Sequence, residues 1–342
     1  MSKLSHGGQL SVVARNYDIA LDKWLDLSTG IAPYSYPIPA LDVGLFKQLP
    51  QANSDLLLAA RTYYGSDSLL VTNGSQSVIE RLPLLWRARG LKSQMVYLPR
   101  VGYKEHQRAW AQQGFDIELY DNHLPQRDSM PENCVLVIIN PNNPTGKLFS
   151  RNTLLAYQET IAGLNGLLVI DEAFMDVVTH GHSMSRYVSS TNTLVLRSFG
   201  KFFGLAGIRI GFLIAKQFWI DTFSNHFGPW QVNGPAQFIA QVALKDEAWQ
   251  KRQLELLTCA SQQLNGLLSK HFKKTECQSI DGCGLFQTVK YKDDIDLSET
   301  YHQLCLLGVY VRLTDERNAL RFGIPMLTEF ERLDSALAEV IS

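Results

Sequence analysis

The chain has 342 residues, 45% apolar and 19% charged, a composition that argues against disorder and allows a large buried core. Lys plus Arg number 32 and Asp plus Glu 33, a net charge of −1, so no basic surplus points to a nucleic-acid partner. The five cysteines (Cys134, Cys259, Cys277, Cys283 and Cys305) are odd in number and lack CxxC spacing, which predicts reduced packing thiols, and no metal site is expected. No apolar run nears the ~20 residues that span a bilayer, and residues 1–8 carry no apolar signal region, so no membrane partner and a cytoplasmic location are expected.

Residues 1–38 are irregular and rich in Gly, Ser and Pro, and read as an N-terminal arm. From there strands and helices alternate. A helix is predicted over 55–64, closed by Gly65, then a strand over 69–72 and a helix over 75–89 that ends at Gly90. A strand at 95–98 leads to a helix over 103–113, stopped by Gly114, and to a strand at 116–120. The continuous apolar run 135–139 has the character of a parallel strand buried on both faces. A helix over 153–162, strands at 167–170 and 193–198, and an antiparallel strand at 210–215 follow. This alternation predicts an α/β domain with a mostly parallel sheet. A long helix over 246–271 opens the last third, followed by strands at 285–291, 310–312 and 319–323 and helices at 298–307 and 329–341. The expected organisation is a large domain over 39–245 and a smaller α+β domain over 246–342, which the arm 1–38 joins.

In open α/β sheets ligands bind at the carboxyl ends of the strands, and four short motifs fall there. Asn73-Gly74-Ser75-Gln76 opens a helix after strand 69–72, which offers free N–H groups and a hydroxyl to an anion, or serves as an ordinary cap. Asn140-Pro141-Asn142-Asn143-Pro144-Thr145-Gly146 is a rigid turn able to hold an Asn amide at a defined angle. Asp171, at the end of strand 167–170, could pair with a cationic ring nitrogen or cap the following turn. Lys201 lies among aromatic and glycine residues after Ser198, where desolvation favours the neutral amine that forms Schiff bases with aldehydes, and Ser198 and Arg209 are candidate anion ligands.

Taken in order, these motifs resemble the pyridoxal-phosphate enzymes of aspartate-aminotransferase fold, fold type I, class-II aminotransferase-like, over nearly the whole chain. The resemblance implies pyridoxal 5'-phosphate as cofactor and Lys201 as its Schiff-base lysine. Asp171 would hold the pyridinium nitrogen and Asn143 the phenolic oxygen. Tyr103, after Pro99-Arg100-Val101-Gly102, would stack on the ring, and Gly74, Ser75, Gln76, Ser198 and Arg209 would cradle the phosphate. It also implies a homodimer. Phe174 stands where many fold members carry Tyr, so Asn143 would serve the ring oxygen alone, and Ser54 lacks the ring that others offer to a neighbouring subunit.

Ser5-His6-Gly7-Gly8, Asp26-Leu27-Ser28-Thr29-Gly30-Ile31 and the phrase 196–207 resemble the threonine-phosphate decarboxylases of cobalamin biosynthesis. By that resemblance His6 and Gly7 would approach a substrate phosphate, and Gly30 would line the pocket through its backbone. Asn143 would also face the substrate. Arg321 matches the carboxylate arginine, and Arg312 would serve the phosphate end. The implied reaction is decarboxylation of L-threonine O-3-phosphate to (R)-1-aminopropan-2-yl phosphate. The competing subfamily is the histidinol-phosphate aminotransferases, which share most of these motifs. A non-catalytic cofactor-binding module on the same fold is a third reading, against which the intact Lys201, Asp171, Asn143 and Arg321 argue.

Overall fold

The computed structural model describes residues 7–91, 93–178, 181–188, 191–272 and 276–341. The chain divides into two compact units: Tyr36–Asn143 with Lys147–Trp249, and Met1–Ser35 with Pro144–Gly146 and Gln250–Ser342.

The larger unit is built on seven strands: β1 (Leu69–Thr72), β2 (Met95–Pro99), β3 (Asp116–Tyr120), β4 (Val135–Ile139), β5 (Leu167–Asp171), β6 (Thr193–Ser198) and β7 (Gly211–Ala215). Their order across the sheet is β1-β7-β6-β5-β4-β2-β3. β7 runs antiparallel to both β1 and β6, and every other pairing is parallel, so the fold is α/β with a mainly parallel sheet. Every residue of β4 and β5 is buried. Successive side chains point to opposite faces, so such strands require cover on both. On one face Val135, Val137, Leu167 and Val169 share a core with Leu82 and Trp86 of helix Gly74–Arg87, Trp110 of helix Lys104–Gln112 and Trp219 of helix Gln217–Phe227. Each fully buried aliphatic side chain there contributes roughly 1.5–3 kcal/mol.

Helix starts follow local capping chemistry. Asn53 Oδ1 accepts the Leu56 amide at 3.0 Å and opens helix Ser54–Tyr64, and Ser150 Oγ accepts the Thr153 amide at 3.2 Å and opens Arg151–Gly163. Two helices that the sequence reading leaves unassigned are present, Gln217–Phe227 and Gly234–Lys245. Pro235 sits in the first turn of the second, where its missing N–H costs no intrahelical bond.

The smaller unit holds an antiparallel sheet in the order Arg312–Leu313, Ala319–Gly323, Phe286–Tyr291, Cys277–Cys283. Leu25–Asp26 pairs in parallel with Val309–Tyr310. The strand expected over 310–312 is therefore split, with Tyr310 and Arg312 in different sheets. Residues expected to be irregular throughout the N-terminal arm include helix Leu10–Tyr17. Its Leu10, Val13, Ala14 and Tyr17 fall at helical spacing and pack with Trp24, Cys305 and Tyr310. The 26-residue helix Glu247–Phe272 adds Leu264, Leu268 and Phe272 to a core with Val289, Leu320 and Phe322. Among the described residues no helix is long and apolar enough to cross a membrane.

Candidate active site

The carboxyl ends of β1, β5 and β6 open on a cavity with about 740 Å³ of unfilled space, part of it open to solvent. Gly74 begins the helix after β1 with φ +69, and a Cβ there would lie 3.0 Å from Arg209 Nη2, so a side chain would be strained and would crowd the guanidinium. Ser75 and Gln76 form the first turn of this 14-residue helix, where backbone N–H groups have no intrahelical acceptor. Ser198 ends β6, and the short helix Phe199–Phe202 that follows carries Lys201. Arg209 closes the next turn in the left-handed region, φ +57, and donates from Nη1 to the Ala206 carbonyl at 3.3 Å. Gly74, Ser75, Gln76, Ser198, Lys201 and Arg209 all line the cavity, making one end of it rich in donors.

Asp171 ends β5 and is 3% exposed. Its Oδ1 accepts the Ala173 amide at 3.0 Å, and its Oδ2 lies 2.9 Å from Nε2 of the equally buried His106. A carboxylate only accepts, so Nε2 carries the proton of that bond. His106 was not among the residues singled out from the sequence. The available signal was its spacing: it follows Tyr103 by three residues, nearly one turn along helix Lys104–Gln112. Asn143 lines the cavity from a turn held by two other asparagines. Asn140 Oδ1 accepts the Phe149 amide at 2.7 Å, and Asn142 Nδ2 donates to the Val101 carbonyl at 2.9 Å.

Tyr103 lines the cavity and donates its hydroxyl to Gln76 Oε1 at 3.0 Å. Gln76 Nε2 donates to Glu80 at 3.0 Å and to Glu105 at 3.1 Å, which fixes the orientation of the amide. Burial, followed by the charge of Glu105, raises the Tyr103 pKa and keeps the phenol a donor. Lys201 Nζ sits 5.5 Å from the ring centroid of Phe174.

Behind these residues lies a buried ionic network. Arg197, which precedes Ser198, donates from Nη1 to Glu172 Oε2 at 2.8 Å and from Nη2 to Asp176 Oδ1. Glu172, which follows Asp171, also accepts from the Ser183 hydroxyl at 2.6 Å and the Met184 amide at 2.7 Å. Burial pushes the Glu172 carboxyl above its ordinary range, and Arg197 opposes this. Tyr63 donates to Asp176 at 3.1 Å and Tyr64 packs under the Arg197 guanidinium, 4.8 Å from ring centroid to Cζ, so both tyrosines serve this network.

In the smaller unit, Arg312 and Arg321 are direct cross-strand partners. Arg312 pairs with Asp315 at 2.8 Å. Arg321 is 7% exposed, donates from Nη2 to the Ser28 carbonyl at 2.6 Å, and is pulled down to about 10 by burial and then by Arg312. Two adjacent guanidiniums suit an anion with more than one charge. Gly7 packs on Ser28, and Gly30 is buried two residues beyond it. His6 lies outside the described residues.

Residues 42–333 match the family described as aminotransferase class I and II. The chain is 39% identical to a threonine-phosphate decarboxylase of Pseudomonas aeruginosa, over 98% of this chain and 97% of that protein. It is 28% identical to histidinol-phosphate aminotransferase 2 of Hydrogenovibrio crunogenus, over 79% of this chain and 74% of that protein. The solved structure of histidinol-phosphate aminotransferase from Sinorhizobium meliloti in complex with pyridoxal-5'-phosphate is similar in fold. Its TM-score is 0.77 at 18% identity, covering 100% of this chain and 95% of that one.

Proposed function

The chain belongs to the aminotransferase class I and II family, and from that premise we propose that it decarboxylates L-threonine O-3-phosphate to (R)-1-aminopropan-2-yl phosphate in the cytoplasm, as a step of cobalamin biosynthesis. It is an enzyme, and its cofactor is pyridoxal 5'-phosphate. What supports this reaction over transamination is the 39% identity, over 98% of the chain, to a threonine-phosphate decarboxylase, against 28% over 79% for a histidinol-phosphate aminotransferase.

The donor set around the larger unit's cavity fits that cofactor. Gly74, Ser75, Gln76, Ser198 and Arg209 would hold its phosphate at the helix start. Asp171, buried and oriented by His106, would hold the ring nitrogen in its protonated form. Asn143 would take the phenolic oxygen, Tyr103 would face the ring and Lys201 would form the Schiff base. Phe174 adds no hydroxyl, which leaves the ring oxygen to Asn143.

When bound, the cofactor supplies an electron sink for the bond broken at the substrate Cα. The protein's residues determine which bond breaks. Arg321 would take the carboxylate and Arg312 the phosphate, with His6 and Gly7 at the phosphate end and Gly30 and Asn143 toward the substrate. So held, the Cα–carboxylate bond breaks, CO2 leaves and the electron pair stays behind. Lys201, whose Nζ the incoming substrate amine would free, would then give Cα one proton in place of the CO2 lost. If the Cα–H bond were held in that orientation instead, the same residues would serve transamination, so specificity rests on the arginines and the arm.

The test is to incubate the purified holoenzyme with L-threonine O-3-phosphate and no 2-oxo acid. Stoichiometric CO2 release is expected. Transamination between histidinol phosphate and 2-oxoglutarate, without CO2 release, would sink the reading. Lys201→Ala should abolish the borohydride-reducible link to the cofactor, and an intact link would refute that assignment. The same reading includes a homodimer. It is supported by Val43, Phe46 and Leu49, which are 62%, 64% and 62% exposed within one short stretch and present an apolar strip of the kind a subunit partner covers.

A further inference from the structure

We propose that Asp26 and Ser28 are positioning residues that tie the Gly7–Gly8 segment and the Arg321 guanidinium to a single point, and thereby set the anion-binding groups of the smaller unit. The functional half of this inference rests on the reading of Arg321 as a substrate arginine.

Ser28 is fully buried, and hydrogen bonds with Asp26, Gly8, Tyr310 and Arg321 converge on it. Its amide and its hydroxyl both donate to Asp26 Oδ1, at 2.9 Å and 2.7 Å. With the hydroxyl proton directed at that carboxylate, an oxygen lone pair remains to accept the Gly8 amide, at 2.8 Å. The Ser28 carbonyl accepts from Arg321 Nη2 at 2.6 Å. One buried residue therefore joins Asp26, the N-terminal segment and the arginine through three different groups.

The fit of the N-terminal segment leaves no slack. A Cβ at Gly7 would stand 2.1 Å from the Ser28 carbonyl oxygen, the atom that also holds Arg321. Gly8 adopts φ +76, which turns the chain at this point. Asp26 is in turn held by the parallel pairing of Leu25–Asp26 with Val309–Tyr310. Arg312 follows Tyr310 by two residues and stands directly opposite Arg321. The glycine segment and both arginines thus take their positions from one strand pair. Arg321 stands across the strands from a second arginine, and the Ser28 carbonyl holds its guanidinium in place with a charge-assisted hydrogen bond.

The variants separate the parts. Ser28→Ala removes the acceptor for Gly8 and keeps the carbonyl that holds Arg321. Asp26→Ala frees both the Ser28 amide and its hydroxyl, while Asp26→Asn keeps an oxygen acceptor and should rescue. On the holoenzyme we would measure amide hydrogen exchange over residues 7–9 and steady-state kinetics with L-threonine O-3-phosphate. Both alanine variants are expected to exchange about tenfold faster over residues 7–9 and to show a KM raised about tenfold with kcat within about twofold, the scale of one lost hydrogen bond. Asp26→Asn should stay within about twofold of the unsubstituted enzyme in each quantity. Unchanged KM in both alanine variants, or a loss confined to kcat, overturns the proposal. If the unsubstituted holoenzyme is inert toward L-threonine O-3-phosphate, the functional reading fails on its own. The tether is then decided by exchange alone, and unchanged exchange in Ser28→Ala overturns it.

Discussion

A buried carboxylate is costly unless its lone pairs are satisfied, and Asp171 is satisfied by two partners, the Ala173 amide and His106. Replacing His106 by Ala would leave Oδ2 facing an apolar gap. Because the proposed ring-nitrogen contact depends on where that carboxylate points, His106→Ala should lose bound cofactor on dialysis about tenfold faster, as read by its absorbance. Retention equal to that of the unsubstituted protein would show that Asp171 holds its place without the imidazole. Asn143, Asp171, Ser198 and Lys201, which line one cavity, could be picked out in the sequence because each sits in a motif at a strand end, where helix starts and rigid turns have local signatures; Tyr103, on the same cavity, was named only through the family resemblance. His106 was not picked out, since its partner lies 65 residues away and the contact exists only once β5 and helix Lys104–Gln112 pack together.

Among elements, β5 and β6 are joined at their carboxyl ends by more than the ladder. Arg197 binds the segment that follows Asp171 to the strand that delivers Ser198 and Lys201. Burial disfavours its charge, but Asp176 and Glu172 together hold the guanidinium protonated. Arg197→Met removes the cation and leaves two buried carboxylates facing each other. Breaking a buried pair in this way costs roughly 3–5 kcal/mol. A loss of that size in urea unfolding is therefore expected, and a loss below about 1 kcal/mol, the ceiling for an exposed pair, would mark the network as solvent-screened. The strands of the larger unit's sheet were readable, whereas Leu25–Asp26 and Cys277–Cys283 of the smaller unit were not expected. β4, Val135–Ile139, is a run of five branched aliphatic residues with no competing helical period, and the structure buries all five. Helix Leu10–Tyr17 escaped notice because only eight residues carry its apolar stripe and the surrounding segment is rich in Gly, Ser and Pro.

For the molecule as a whole, the proposed dimer predicts that a charge placed in the exposed strip disrupts association without unfolding the chain. Phe46 is 64% exposed and contributes little to the core. Phe46→Asp should shift the sedimenting species from dimer to monomer with unchanged far-UV circular dichroism, and a monomeric unsubstituted protein would remove the premise. The balanced net charge of −1 gave no hint that Arg312 and Arg321 are cross-strand neighbours. Composition sums charge over the chain, whereas strand register places it. By itself the sequence determined the α/β class and the four strand-end motifs in their order, because turns, caps and apolar runs are written in neighbouring residues, and those motifs carried the resemblance to the family. Tertiary structure alone decided that His106 supports Asp171, that Arg197 braces two strands and that Ser28 holds Arg321. These contacts join residues 65, 25 and 293 positions apart, and no local pattern specifies which distant side chains will meet.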